Sequence, residues 1–114
     1  MVESNELSWD DFMKVEMRIG TVVSAEIFEE ARNPAYKIRV DFGEFGIRKT
    51  SAQVTKLYTC EELVGKQVVG VVNFPPKQIA NMKSEFLLLG ALGENKEITL
   101  LQLERSVKNG LRIG

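Results

Sequence analysis

The sequence predicts an all-β protein, a small barrel of short strands carrying two short helices. Three observations lead to that reading. Apolar and polar residues alternate with period two over residues 36–42 and, less regularly, from Met17 onward, which is the spacing of half-buried strands. Helical spacing is confined to two brief stretches, near Trp9 and near Cys60, each behind a capping sequence. A length of 114 residues with 44% apolar and 27% charged content suits one core of ordinary composition. Residues 1–114 are therefore read as a single domain.

The elements follow in order. Ser8 can cap a first helix, with Asp11 placed to close a capping box. Trp9, Phe12 and Val15 give that helix an apolar face. From Met17 a long strand begins, in which Met17, Ile19, Thr21, Val23, Ala25 and Ile27 share one side. Gly20 within it predicts a bend or bulge. Arg32-Asn33-Pro34 makes a turn, and Tyr36, Ile38, Val40 and Phe42 then alternate with Lys37, Arg39 and Asp41 in the cleanest strand of the chain. Glu44-Phe45-Gly46 turns into a third strand over residues 47–54.

Thr59-Cys60-Glu61-Glu62 is a second capping box, and residues 67–74 read as a buried fourth strand stopped by Pro75-Pro76. Residues 86–92 and 97–103 complete the strands, with Gly93-Glu94-Asn95 between them. Three strands, a helix and two or three further strands is the order of the OB fold, a five-stranded Greek-key barrel whose open face binds oligonucleotides. The short first helix and the segment after the last strand are N- and C-terminal extensions. An SH3-like barrel accommodates the helix after strand three less well.

Composition narrows the chemistry. There is no histidine, so the usual neutral-pH acid/base group and commonest metal ligand are missing. The lone Cys60 forms neither an internal disulfide nor a Cys/His couple. The expectation is a non-enzyme with no cofactor and no metal. The longest apolar run, residues 86–89, is far short of a membrane span, and the acidic start has no signal-type apolar core. A cytoplasmic protein without membrane insertion is expected.

Net charge is −1, but it is unevenly laid out. Residues 1–31 carry −6, residues 32–56 carry +4, residues 57–83 carry +1 and the remainder is neutral. A basic middle behind an acidic front is a dipolar arrangement that total charge hides.

Several blocks resemble a known family. Residues 11–20, Asp-Phe-Met-Lys-Val-Glu-Met-Arg-Ile-Gly, resemble the opening of the tRNA-binding OB domain. Ala25-Glu26 with residues 31–37, Ala-Arg-Asn-Pro-Ala-Tyr-Lys, is similar to its CsaA form, as is Ser51-Ala52-Gln53-Val54-Thr55. Residues 76–85 followed by Leu88-Leu89-Gly90, and the ending Asn109-Gly110-Leu111-Arg112-Ile113-Gly114, also match the CsaA pattern. Ile79-Ala80-Asn81-Met82-Lys83-Ser84 stands where synthetase-type domains carry Met-Arg-Gly-x-x-Ser, so the CsaA branch is favoured. The resemblance implies a homodimeric OB-fold chaperone of protein export that binds unfolded or precursor polypeptides. It implies, as an alternative, a tRNA-binding factor that recognises tRNA by shape through paired basic grooves.

On that basis Arg32, Lys37, Arg48, Lys49, Lys77 and Lys83 are candidates for a phosphate-following groove. Ser51, Gln53, Asn73 and Ser84 are candidates for hydrogen bonds to a base edge or a peptide backbone. Phe74, Ile79 and Met82 are candidates for an apolar patch that accepts unfolded chain or stacks a base. Trp9, Phe12, Leu111 and Ile113 are candidates for the dimer interface.

Overall fold

The computed structural model describes residues 5–114. Helix α1 (Trp9–Lys14) precedes strand β1 (Met17–Ile27), which is followed by β2 (Tyr36–Asp41) and β3 (Ile47–Ala52). Helix α2 (Cys60–Leu63) leads to β4 (Gln67–Val71). Five short strands follow: β5 (Lys77–Ile79), β6 (Met82–Ser84), β7 (Leu87–Leu88), β8 (Gly90–Leu92) and β9 (Ile98–Leu100). The main sheet has the order β3-β2-β1-β4-β7, with antiparallel neighbours throughout. Lys49 and Glu85 bridge its two ends: the Glu85 amide donates to the Lys49 carbonyl at 2.8 Å. Buried Thr50 also donates to the Phe86 carbonyl at 2.8 Å. The sheet is thus a nearly closed five-stranded OB-type barrel, as the element order predicted.

The alternation in β2 points Tyr36, Ile38 and Val40 inward, joined by Phe42, Val22, Val68, Val72, Leu63 and Phe86. Phe42 and Phe86 meet edge to face, ring centroids 5.0 Å apart. Gly70 lies where an added Cβ would come within 2.9 Å of both rings, so glycine admits the aromatic pair. Ile19, Val69 and Val71 are buried on the opposite face of β1 and β4.

β1 departs from the expected single alternation. Val22 pairs with Val40 and Ser24 with Arg39, which leaves Val23 as a bulge. The bulge lies there rather than at Gly20, whose added Cβ would come within 2.4 Å of the Val40 side chain and 2.9 Å of the Asp41 carbonyl. Glycine at position 20 serves close packing of β1 on β2. The bulge reverses the pleat, so Ala25 packs on the core while Ser24 and Glu26 join the outer face of β2.

Other boundaries move as well. β3 ends at Ala52 and β4 at Val71. Residues 86–92 divide into β7, paired with β4, and β8, paired with β9. The β5–β6 hairpin occupies a stretch that reads as a loop between strands, because three-residue strands are too short to establish a period. The capping box of α2 is complete. At α1 only its first half forms: Ser8 accepts from the Asp11 amide at 3.0 Å, while the Asp11 carboxylate turns to Lys14 at 3.2 Å.

The C-terminal extension is tied to its own barrel. Gly110 and Ile113 amides donate to the carbonyls of Ile19 and Met17, and the Ile19 amide to Leu111. Gln67 mimics a strand neighbour, its amide side chain both donating to and accepting from the Val107 backbone.

Candidate nucleic-acid and polypeptide interface

Two concave surfaces flank the β5–β6 hairpin. The first lies over β1, β2 and β3 on the side away from the core. Cross-strand register puts Ser24 and Glu26 opposite Arg39 and Lys37, and Lys49 and Ser51 opposite the same two bases from the other side. The pleat therefore collects Lys37, Arg39 and Lys49 on one face, with Glu26 as its acid. Ser24, Ala25, Glu26, Lys37, Arg39 and Lys49, with Asn81 and Met82 of the hairpin turn, line a groove of about 500 Å³.

Lys37 lies 5.0 Å from the centre of the Phe28 ring and 3.8 Å from the Glu30 carboxylate. That pair is long and partly exposed, so it holds the lysine weakly. Among the described residues neither Arg39 nor Lys49 makes an ion pair. The groove thus holds two cations without an ion pair, Arg39 and Lys49, beside the loosely paired Lys37.

The second groove, about 670 Å³, is lined by Phe74, Pro75, Pro76, Lys77, Gln78, Ser84, Phe86 and Leu87. It is mainly apolar, and Lys77 is its one charged lining residue. Phe74 is 55% and Leu87 48% exposed, high values for large apolar side chains gathered in one concavity. β4 has already ended at Val71, and Pro75 and Pro76 lead the chain from exposed Phe74 into the β5–β6 hairpin.

The remaining candidates separate. Arg48 projects from the other face of β3, and its guanidinium donates to the Val72 carbonyl at 2.7 Å and the Phe45 carbonyl at 3.2 Å. Arg32 lies at the β1–β2 turn and lines a different concavity with Phe28 and Tyr36. Gln53 lies beyond β3, beside Asn33, Pro34 and Lys56. Asn73 clamps α1, accepting from the Glu16 amide at 3.0 Å and donating to the Lys14 carbonyl at 2.6 Å. Ser84 bonds Thr50 at 2.7 Å and thereby ties β6 to β3.

Ile79 and Met82 pack with Phe28, Ala31 and Ala35 in a small satellite core. They anchor the hairpin rather than joining Phe74 in an open patch. Lys77 pairs with Ser84 and Gln78 with Lys83, so Lys77 and Lys83 emerge from opposite faces of the ribbon. Arg39 was absent from the sequence-based candidates, although its two-residue spacing from Lys37 was a signal that both share a face.

Trp9 is 84% exposed, and α1 buries none of its residues. Leu7, Met13 and Leu111 are also exposed, whereas Phe12 and Ile113 are half-buried. Arg112 donates to the Met13 carbonyl at 2.7 Å and holds the helix beside the C-terminal extension. Cys60 stands at the first position of α2, but burial raises its thiol pKa, with Glu61 and Glu26 adding to the effect. The helix N-terminus does not activate it, so the thiol stays protonated at neutral pH.

Comparison with known proteins gives the lineage. Residues 17–112 match the family described as "Putative tRNA binding domain". The CsaA chaperone of Bacillus anthracis str. Ames superposes with a TM-score of 0.92 at 48% identity, covering 96% of this chain and 99% of that one. A methionyl-tRNA-synthetase-related protein from Pyrococcus horikoshii superposes at 0.86 with 29% identity, covering 97% and 100%. The methionine–tRNA ligase of Leptospira biflexa is 38% identical over 108 residues, which are 95% of this chain and 16% of the ligase. The chain thus spans about one sixth of the length of that curated relative. Sequence blocks, barrel topology and these matches agree: the chain belongs to the CsaA-like branch of the tRNA-binding OB-fold family.

Proposed function

We propose that the chain is a non-catalytic, cytoplasmic chaperone of protein export that holds unfolded precursor polypeptides as a homodimer. The observation that carries this reading is the apolar groove around Phe74 and Leu87, open to solvent at the rim of the barrel. An extended segment entering it buries apolar side chains against Phe74, Phe86 and the proline rings, and Lys77 meets a carboxylate beside them. The 48% identity to a CsaA chaperone supports the same ligand class. The homodimer is supported by α1, whose Trp9 projects into solvent while Asn73 and Arg112 fix the helix on the barrel.

The test is direct titration of a labelled, reduced and alkylated polypeptide. Phe74→Asp is expected to weaken binding at least about tenfold while leaving the fold intact, because it places a charge in an apolar contact. Unchanged affinity in a folded variant removes the groove from the mechanism. For the interface, wild type is expected to sediment as two chains and Trp9→Asp as one. A wild-type monomer removes the dimer.

A second reading is favoured by a specific observation, the alignment of Lys37, Arg39 and Lys49 on one sheet face. In it the outer groove follows the phosphate backbone of tRNA. No exposed aromatic lines that groove, so recognition there rests on charge and shape rather than on base stacking. Two grooves in a dimer would raise avidity without new contacts.

A further inference from the structure

We propose that the two grooves are independent sites, so that polypeptide and RNA are held at the same time, one at either end of the β5–β6 hairpin. This rests on the reading of the two grooves given above and adds that the ligands do not compete. The two linings share no residue. The turn end of the hairpin, Asn81 and Met82, belongs to the basic groove, while its open end, Lys77, Gln78 and Ser84, belongs to the apolar groove. The length of the hairpin is therefore the partition between them.

The partition is pinned along its length. Ile79 and Met82 are seated with Phe28 and Ala35 at the turn end. Ser84 bonds buried Thr50 at 2.7 Å at the open end. Just beyond, the Glu85 amide donates to the Lys49 carbonyl at 2.8 Å, and the Lys49 amide to the Glu85 carboxylate at 3.1 Å. A ribbon held at both ends does not fold over to merge the grooves.

Charge sorts the ligands. The basic groove presents three cations against one acid, which suits a polyanion. The apolar groove offers a single cation among aromatic, proline and leucine side chains. That lining suits an extended apolar peptide segment carrying one carboxylate and offers a phosphate chain almost nothing.

The experiment uses bulk tRNA and an apolar hexapeptide with one carboxylate, which spans roughly 20 Å when extended. Each is first titrated alone into the full chain, and tRNA is then titrated with the peptide saturating. The proposal expects both to bind and the tRNA Kd to change less than twofold, with a ternary complex visible by mass. Both binding alone but one displacing the other overturns independence and leaves the functional reading standing. Failure of the peptide to bind overturns the chaperone reading and this proposal with it. Failure of tRNA to bind overturns this proposal while leaving the chaperone reading intact.

Discussion

Replacing Phe42 by alanine is expected to cost about 3–5 kcal/mol of folding stability, the range for removing a buried aromatic ring. Phe42 is fully buried, lies edge-on to Phe86, and fills space that Gly20 and Gly70 leave open. The surrounding groups are strand backbone from β1 and β4, which cannot collapse into the void without breaking the sheet. Against a total stability of about 5–15 kcal/mol, this is a large share. The melting temperature should fall by on the order of 15 °C in a domain of this size. Denaturant unfolding checks it. A loss below about 1 kcal/mol would mean that the barrel does not depend on this ring pair.

The second large effect concerns the basic groove. Arg39→Glu combined with Lys49→Glu is expected to lower tRNA affinity by at least about a hundredfold and to reduce the salt slope by about two. Two phosphate contacts are lost, and two carboxylates now face the backbone from a sheet that fixes their positions. Neither side chain is in the core, so thermal stability should hold. Binding isotherms at several salt concentrations measure both quantities. An unaltered slope would show that these two bases meet no phosphate.

The sequence made the barrel legible where period and chemistry agreed. β2 alternates without interruption because one face packs on the core and the other meets solvent. The Thr59 capping box was readable because both of its partners lie within four residues. What stayed hidden depends on distant contacts. The bulge at Val23 is set by pairing with β2 and leaves no turn residue behind. The β5–β6 hairpin has strands of three residues and turns at Ala80, whose φ of 50° would ordinarily call for glycine.

The candidate site was partly legible for the same reasons. Lys37 and Lys49 are candidates on the family resemblance and the basic middle of the chain, and the strand period adds Arg39. Arg48 and Ser84 carried the right chemistry, yet the barrel uses both for its own closure, bonding Val72 and Thr50. Asn73 likewise serves the backbone of α1. Whether a polar side chain faces a ligand or a main-chain group is decided by tertiary neighbours, which no local pattern encodes.

The most direct measurement is the affinity for tRNA and for an unfolded polypeptide across the same range of salt, from about 50 to 200 mM. The account predicts that tRNA affinity falls steeply, because bound phosphates release counterions, while polypeptide affinity stays nearly flat, because apolar burial is indifferent to screening. A polypeptide affinity that falls as steeply as that of tRNA would contradict it, since the polypeptide would then be held by the basic groove and not by Phe74 and its neighbours.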